Sequence, residues 1–95
     1  MSNYQKKLIK HYEDNGFGVI KLSKTNKNGI ADLLVSKPKL IPILIEVKEK
    51  NDTLKPLQIV QNLRMSKKMG FEFIVMQDGI GLVDYSNLIK KTELF

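Results

Sequence analysis

The apolar pattern of this chain predicts an α/β fold that runs helix, three strands, helix, then strands. Three observations carry that expectation. Tyr4, Leu8, Ile9 and Tyr12 recur at helical spacing near the start; "FGVIKLS", "IADLLVS" and "IPILIEVKE" follow as short β-branched runs; and a helical pattern entered through Pro56 precedes the alternating run "FEFIVMQ".

The first helix is expected over residues 3 to 15, with Ser2 three residues before Gln5 in capping-box spacing and Gly16 to end it. "FGVIKLS" is a strand, and "KTNKNG" breaks it into a basic loop. The next two strands are joined through Lys37, Pro38, Lys39 and Leu40, a connection too short for anything but an antiparallel pair. Pro56 suits the first position of the second long helix, where a missing N–H costs nothing, and Ile59, Val60 and Leu63 hold its spacing until Gly70. After "FEFIVMQ", the pair Asp78-Gly79 signals a turn, "IGLVDY" supplies the partner strand, and a short last helix begins near Ser86.

Ninety-five residues are expected to form one domain, residues 1 to 95, whose core is adequate but small. With no cysteine and one histidine, His11, thiol catalysis, disulfides and thiolate or multi-imidazole metal sites are excluded, so a metal here must be held by oxygen. No apolar run is long enough for a membrane span, and Ser2, Asn3 and Gln5 are polar where a signal peptide would be apolar; a cytoplasmic protein without a membrane partner is expected. The net charge of +6, carried by lysines with Arg64 the only arginine, favours a polyanionic partner such as DNA, although an AT-rich genome writes lysine on any solvated surface. Lys24 and Lys27, in the loop before Asp32, are candidate phosphate contacts.

The chemistry is concentrated in the hairpin. A turn centred near residues 38 to 41 places Asp32 opposite a residue between 44 and 50, where it meets Glu46 or Lys48. Glu46 and Lys48, two apart, share a face. Carboxylates brought that close repel unless a cation or the lysine compensates them, and two acidic oxygens, a carbonyl and waters suit Mg²⁺. The competing reading is a solvated rim with a weak cross-strand ion pair.

"NGIADLLV", "ILIEVKEK" and "LKPLQIVQNLRMSKKMGFEFIVM" resemble the VRR-NUC group of the PD-(D/E)XK nuclease superfamily, including its small standalone phage members. Gly29, Asp32, Glu46, Lys48, Pro56 and Gln58 match that pattern, and the resemblance runs over nearly the whole chain. It implies a restriction-endonuclease-like core, αβββαβ, with a mixed central sheet flanked by helices, in the host cell cytoplasm if phage-encoded. It also implies Asp32 and Glu46 as ligands of Mg²⁺ or Mn²⁺, with the Val47 carbonyl as a third oxygen. Lys48 would position or activate the attacking water, and Gln58 would orient the lysine or that water. Two positions depart from the pattern. Ala31 stands where the family often has proline, and the first-helix glutamate expected four residues before Gln5 falls on Met1, so that this ligand is absent or replaced by Glu13.

The resulting expectation is a metal-dependent endonuclease for branched DNA such as four-way (Holliday) junctions. Its alternatives are a non-catalytic nucleic-acid-binding module of the same fold and a structural subunit. Leu82, Val83, Leu88, Ile89, Leu94 and Phe95 leave apolar surface that a homodimer would cover.

Overall fold

The computed structural model describes residues 3–22 and 30–88. Helix α1 (Asn3–Asp14) leads to strand β1 (Gly18–Lys21), the hairpin β2 (Leu33–Ser36) and β3 (Ile43–Lys48), helix α2 (Pro56–Met69), and strands β4 (Glu72–Gln77) and β5 (Gly81–Leu82). They form one mixed sheet in the order β1-β2-β3-β4-β5. Every neighbouring pair is antiparallel except β3 and β4, which run parallel because α2 carries the chain back between them. Ser2, Lys24, Lys27, Ile89, Leu94 and Phe95 lie outside the described residues.

Both helices end where their glycines allow it. Gly16 (φ 86) lets Phe17 N–H reach the Tyr12 carbonyl at 3.0 Å while its own N–H bonds Glu13. Gly70 (φ 74) repeats the arrangement, with Phe71 N–H on Ser66 at 2.7 Å. Each satisfies terminal carbonyls through the left-handed residue that glycine supplies without a side-chain clash. The Phe17 and Tyr12 rings then meet edge to face at 5.3 Å between centroids, which fixes where β1 leaves α1.

The strand alternation separates two core layers. Leu33, Val35 and Ile45 face α1 and bury themselves with Ile9, Tyr12 and Phe17. Leu44, Phe73 and Val75 face the other way, where Ile59 of α2 and Ala31 complete the layer. In β3, therefore, Leu44, Glu46 and Lys48 point toward the α2 layer while Ile45 and Val47 point toward α1.

The strands are shorter than their apolar runs. β2 starts at Leu33 because the backbone bends at Asp32, and β3 starts at Ile43, just after Pro42, which has no N–H to give a ladder. β5 keeps only two residues of "IGLVDY". Beyond it Tyr85 turns its hydroxyl onto the Phe73 carbonyl at 3.0 Å and Asp84 accepts from Ser86 N–H at 3.1 Å, so a helical turn starts there.

The hairpin turn closes with Leu40 N–H on the Lys37 carbonyl at 3.2 Å and places Lys39 at φ 70, in the left-handed region where glycine is favoured. Lys39→Gly should raise stability by about 0.5–1 kcal/mol in urea unfolding, since the strain it relieves exceeds the entropy it adds to the unfolded chain. A lower midpoint would show that the lysine side chain itself holds the turn.

Candidate active site

Asp32 and Glu46 are brought together by the register of the hairpin. Leu33 pairs with Ile45, and continuing that register by one residue sets Asp32 opposite Glu46. Asp32 N–H donates to the Ile45 carbonyl at 3.0 Å, and its own carbonyl accepts Leu22 N–H at 2.8 Å, so its backbone is held between β3 and the residue after β1. Its carboxylate turns along the strand end and accepts Val47 N–H at 2.8 Å. A strand residue presents its N–H and C=O to the same edge, so the Val47 carbonyl also faces the edge where Asp32 lies.

Glu46 is the unusual member. It is 4% exposed, in a strand whose neighbours Leu44 and Ile45 are core residues. Burial, then a hydrogen bond to Asp32 and the charge of Asp32, push its carboxyl up to about 8, while the Lys48 ammonium pulls the other way. Without a cation Glu46 therefore holds its proton near neutral pH, which avoids setting a second negative charge against Asp32.

Two of the solved structures similar to this chain bear on its fold. One is a VRR_NUC domain, 28% identical, with a TM-score of 0.61 over 96% of this chain and 91% of that one. The chain is similar to a VRR-NUC domain over nearly its whole length. The other is Hjc of Archaeoglobus fulgidus, a Holliday junction resolvase from an archaeal hyperthermophile, 18% identical, with a TM-score of 0.64. It is matched over 77% of this chain, which spans 65% of the resolvase, and it shows the same nuclease-like fold. No family model matches the sequence, and no curated protein matches it.

Lys48 follows Glu46 on the same face, half-buried, at the last position of β3. Gln58 stands half-buried on the first turn of α2, the helix that covers that face, and its backbone carbonyl accepts Asn62 Nδ2–H at 2.9 Å. Its side chain makes no hydrogen bond to Asp32, Glu46 or Lys48 among the described residues. Glu13 is not brought to the pair. It lies exposed in the last turn of α1, beside a groove of about 320 Å³ with Lys6, Lys10 and Lys21, and α1 covers the opposite layer. Among the described residues no three carboxylates or imidazoles come together.

The sequence did not single out Gln77. It is 6% exposed, and its Nε2 donates toward the carbonyls of Glu49 and Asp52, each at 3.0 Å, and of Lys50 at 3.4 Å. The signal was present: Phe73, Val75 and Gln77 are the inward positions of "FEFIVMQ", and a polar residue at the third of them calls for a partner.

The raised Glu46 carboxyl has a consequence for the metal-free protein. Its unfolded value is 4.5 and its folded value about 8, so between them the folded chain holds a proton that the unfolded chain has released. Stability is full below the lower value and is lost as pH rises toward the upper one. In EDTA near pH 8.5, Glu46→Gln should therefore melt above wild type by roughly 5 °C, about 1 kcal/mol, and near pH 5 the gap should shrink away. Equal melting at both pH values would mean that Glu46 ionises as an ordinary surface carboxyl.

Proposed function

We propose that this protein is a metal-dependent, structure-selective DNA endonuclease that hydrolyses phosphodiester bonds of branched DNA, with four-way junctions as the preferred class. One observation carries the reading: a buried glutamate set opposite an aspartate by the register of a hairpin, with a lysine two residues on. A purely structural hairpin gains nothing from facing a half-buried aspartate with a buried glutamate, since apolar residues of similar size would be as stable or more so. A site that receives a cation does gain.

The donors fit Mg²⁺ or Mn²⁺, which prefer oxygen and need only one or two carboxylates. Asp32, Glu46 and the Val47 carbonyl would hold the ion. When bound, it supplies a Lewis acid for the phosphoryl group and makes water a better nucleophile. Hydrolysis forms a new P–O bond to the water oxygen, breaks one ester bond, and requires a proton to leave the water and another to reach the departing oxygen. Lys48 would hold the attacking water or stabilise charge growing on the phosphoryl oxygens, and Gln58 would orient that lysine or water. Lys24 and Lys27, shortly before Asp32 in the sequence, would contact phosphates.

The VRR_NUC likeness supports the nuclease class, and the fold shared with a junction resolvase supports branched DNA as the substrate. A single cytoplasmic domain of this size would act as a homodimer, which presents two sites to two strands. Leu82, 65% exposed beside an apolar groove of about 450 Å³, leaves surface for a partner. The competing reading, a module that binds DNA without cutting it, draws on the missing first-helix carboxylate, since only two acidic side chains meet among the described residues.

Cleavage assays separate the two readings. Asp32→Asn and Glu46→Gln should each lower Mg²⁺- or Mn²⁺-dependent cutting of labelled junctions by about 100-fold or more, with metal-free DNA binding kept. Lys48→Ala should slow single-turnover cleavage by about 100-fold at saturating protein, with affinity changed less than about threefold. Normal single-turnover rates with weaker binding would make Lys48 a phosphate contact; salt-sensitive binding without metal-dependent cutting in wild type would select the binding module. For the assembly, light scattering should give a dimer that cuts junctions in preference to linear duplex, and a monomer cutting both equally would remove that part.

A further inference from the structure

We infer that Gln77 is a positioning residue for the chemistry assigned to Lys48, an inference that rests on the nuclease reading above. Strands β3 and β4 run parallel with Lys48 in register with Gln77. Partners in a parallel ladder project to the same face, so the Gln77 side chain lies beside the lysine stem.

From there its amide reaches the turn that leaves β3. Carbonyls of Glu49, Lys50 and Asp52 converge on its Nε2, and the turn closes on itself as Asp52 N–H bonds the Glu49 carbonyl and Glu49 N–H bonds the Asp52 carboxylate, both at 3.1 Å. The carbonyl of Lys48 itself accepts Asp78 N–H at 2.9 Å, from the residue after Gln77. The end of β4 thus pins the peptide of Lys48 and the turn that follows it.

An apolar side chain at this inward position would satisfy the packing and leave those carbonyls without their buried donor. What the glutamine adds is the place of the turn, and with it the direction in which the Lys48 ammonium leaves the strand and the point at which the chain rises toward α2 and Gln58. Displacement of a catalytic group by about 1 Å can cost on the order of 100-fold in rate.

The test compares Gln77→Met, similar in length but without the donor, with Val35→Ala, a truncation of a buried residue in the opposite core layer. Single-turnover cleavage of a labelled four-way junction with Mg²⁺, at saturating protein, should fall about 30- to 100-fold in Gln77→Met with DNA affinity within about twofold. Val35→Ala should melt lower yet cut within about threefold of wild type. Gln77→Asn, which keeps an amide but withdraws it by one methylene, should fall between, and it carries the test if Gln77→Met does not fold. In the metal-free protein, hydrogen exchange at the Glu49 and Asp52 amides should quicken in Gln77→Met while Leu44 and Val75 stay protected. A Gln77→Met that melts lower but cuts at the wild-type rate, or that keeps protection at Glu49 and Asp52, overturns the inference. A wild-type protein that does not cut overturns the nuclease reading and this role with it, and the exchange data then report the clamp alone.

Discussion

The bond from Val47 N–H to the Asp32 carboxylate is the constraint on which the site depends. β2 has ended at that point, so no ladder partner remains for the Val47 amide on that edge, and an aspartate bent out of the strand takes the place of a backbone carbonyl. The same bond fixes the carboxylate against Glu46. A one-residue slip in the hairpin would send Glu46 into the α1 layer and Ile45 into the other, burying charge among Leu33 and Val35. Register, core separation and the meeting of the carboxyls are therefore one condition.

Around that condition the fold has little freedom. Parallel pairing of β3 and β4 requires α2 to cross back over the sheet, and α2 in turn covers the face on which Glu46 and Lys48 lie. The carboxyl pair consequently sits near the end of β3, at the edge left by β2. Burial raises the cost of a charged Glu46 beside Asp32, a cost that a bound cation would lower.

Much of this was legible before the structure. Element types followed from period-2 and helical spacing, and Gly16, Gly70 and Pro56 fell where their backbone properties are used. The hairpin could be bounded from the sequence but its partner for Asp32 could not be fixed, because the register depends on a turn with Lys39 at positive φ, a conformation that lysine does not announce. The two-residue β5 was overextended because Val83 is apolar and looks like strand, while Tyr85 and Asp84 had already committed that segment to Phe73 and to a helical turn. Burial of Glu46 was invisible for a different reason: it depends on what packs over the middle strand of the sheet, a tertiary fact. Gln77 stood in plain alternation, and its three carbonyl partners come from a turn 25 to 28 positions away.

If Asp32, Glu46 and the Val47 carbonyl form a cation site, paramagnetic broadening by Mn²⁺ in amide NMR spectra reads it directly. Substoichiometric Mn²⁺ should broaden the amides from Ala31 to Leu33 and from Ile45 to Lys48 first, leave α1's Lys10 and Glu13 sharp, and lose that selectivity in Asp32→Asn. Broadening that begins elsewhere, or that is unchanged in Asp32→Asn, would contradict it.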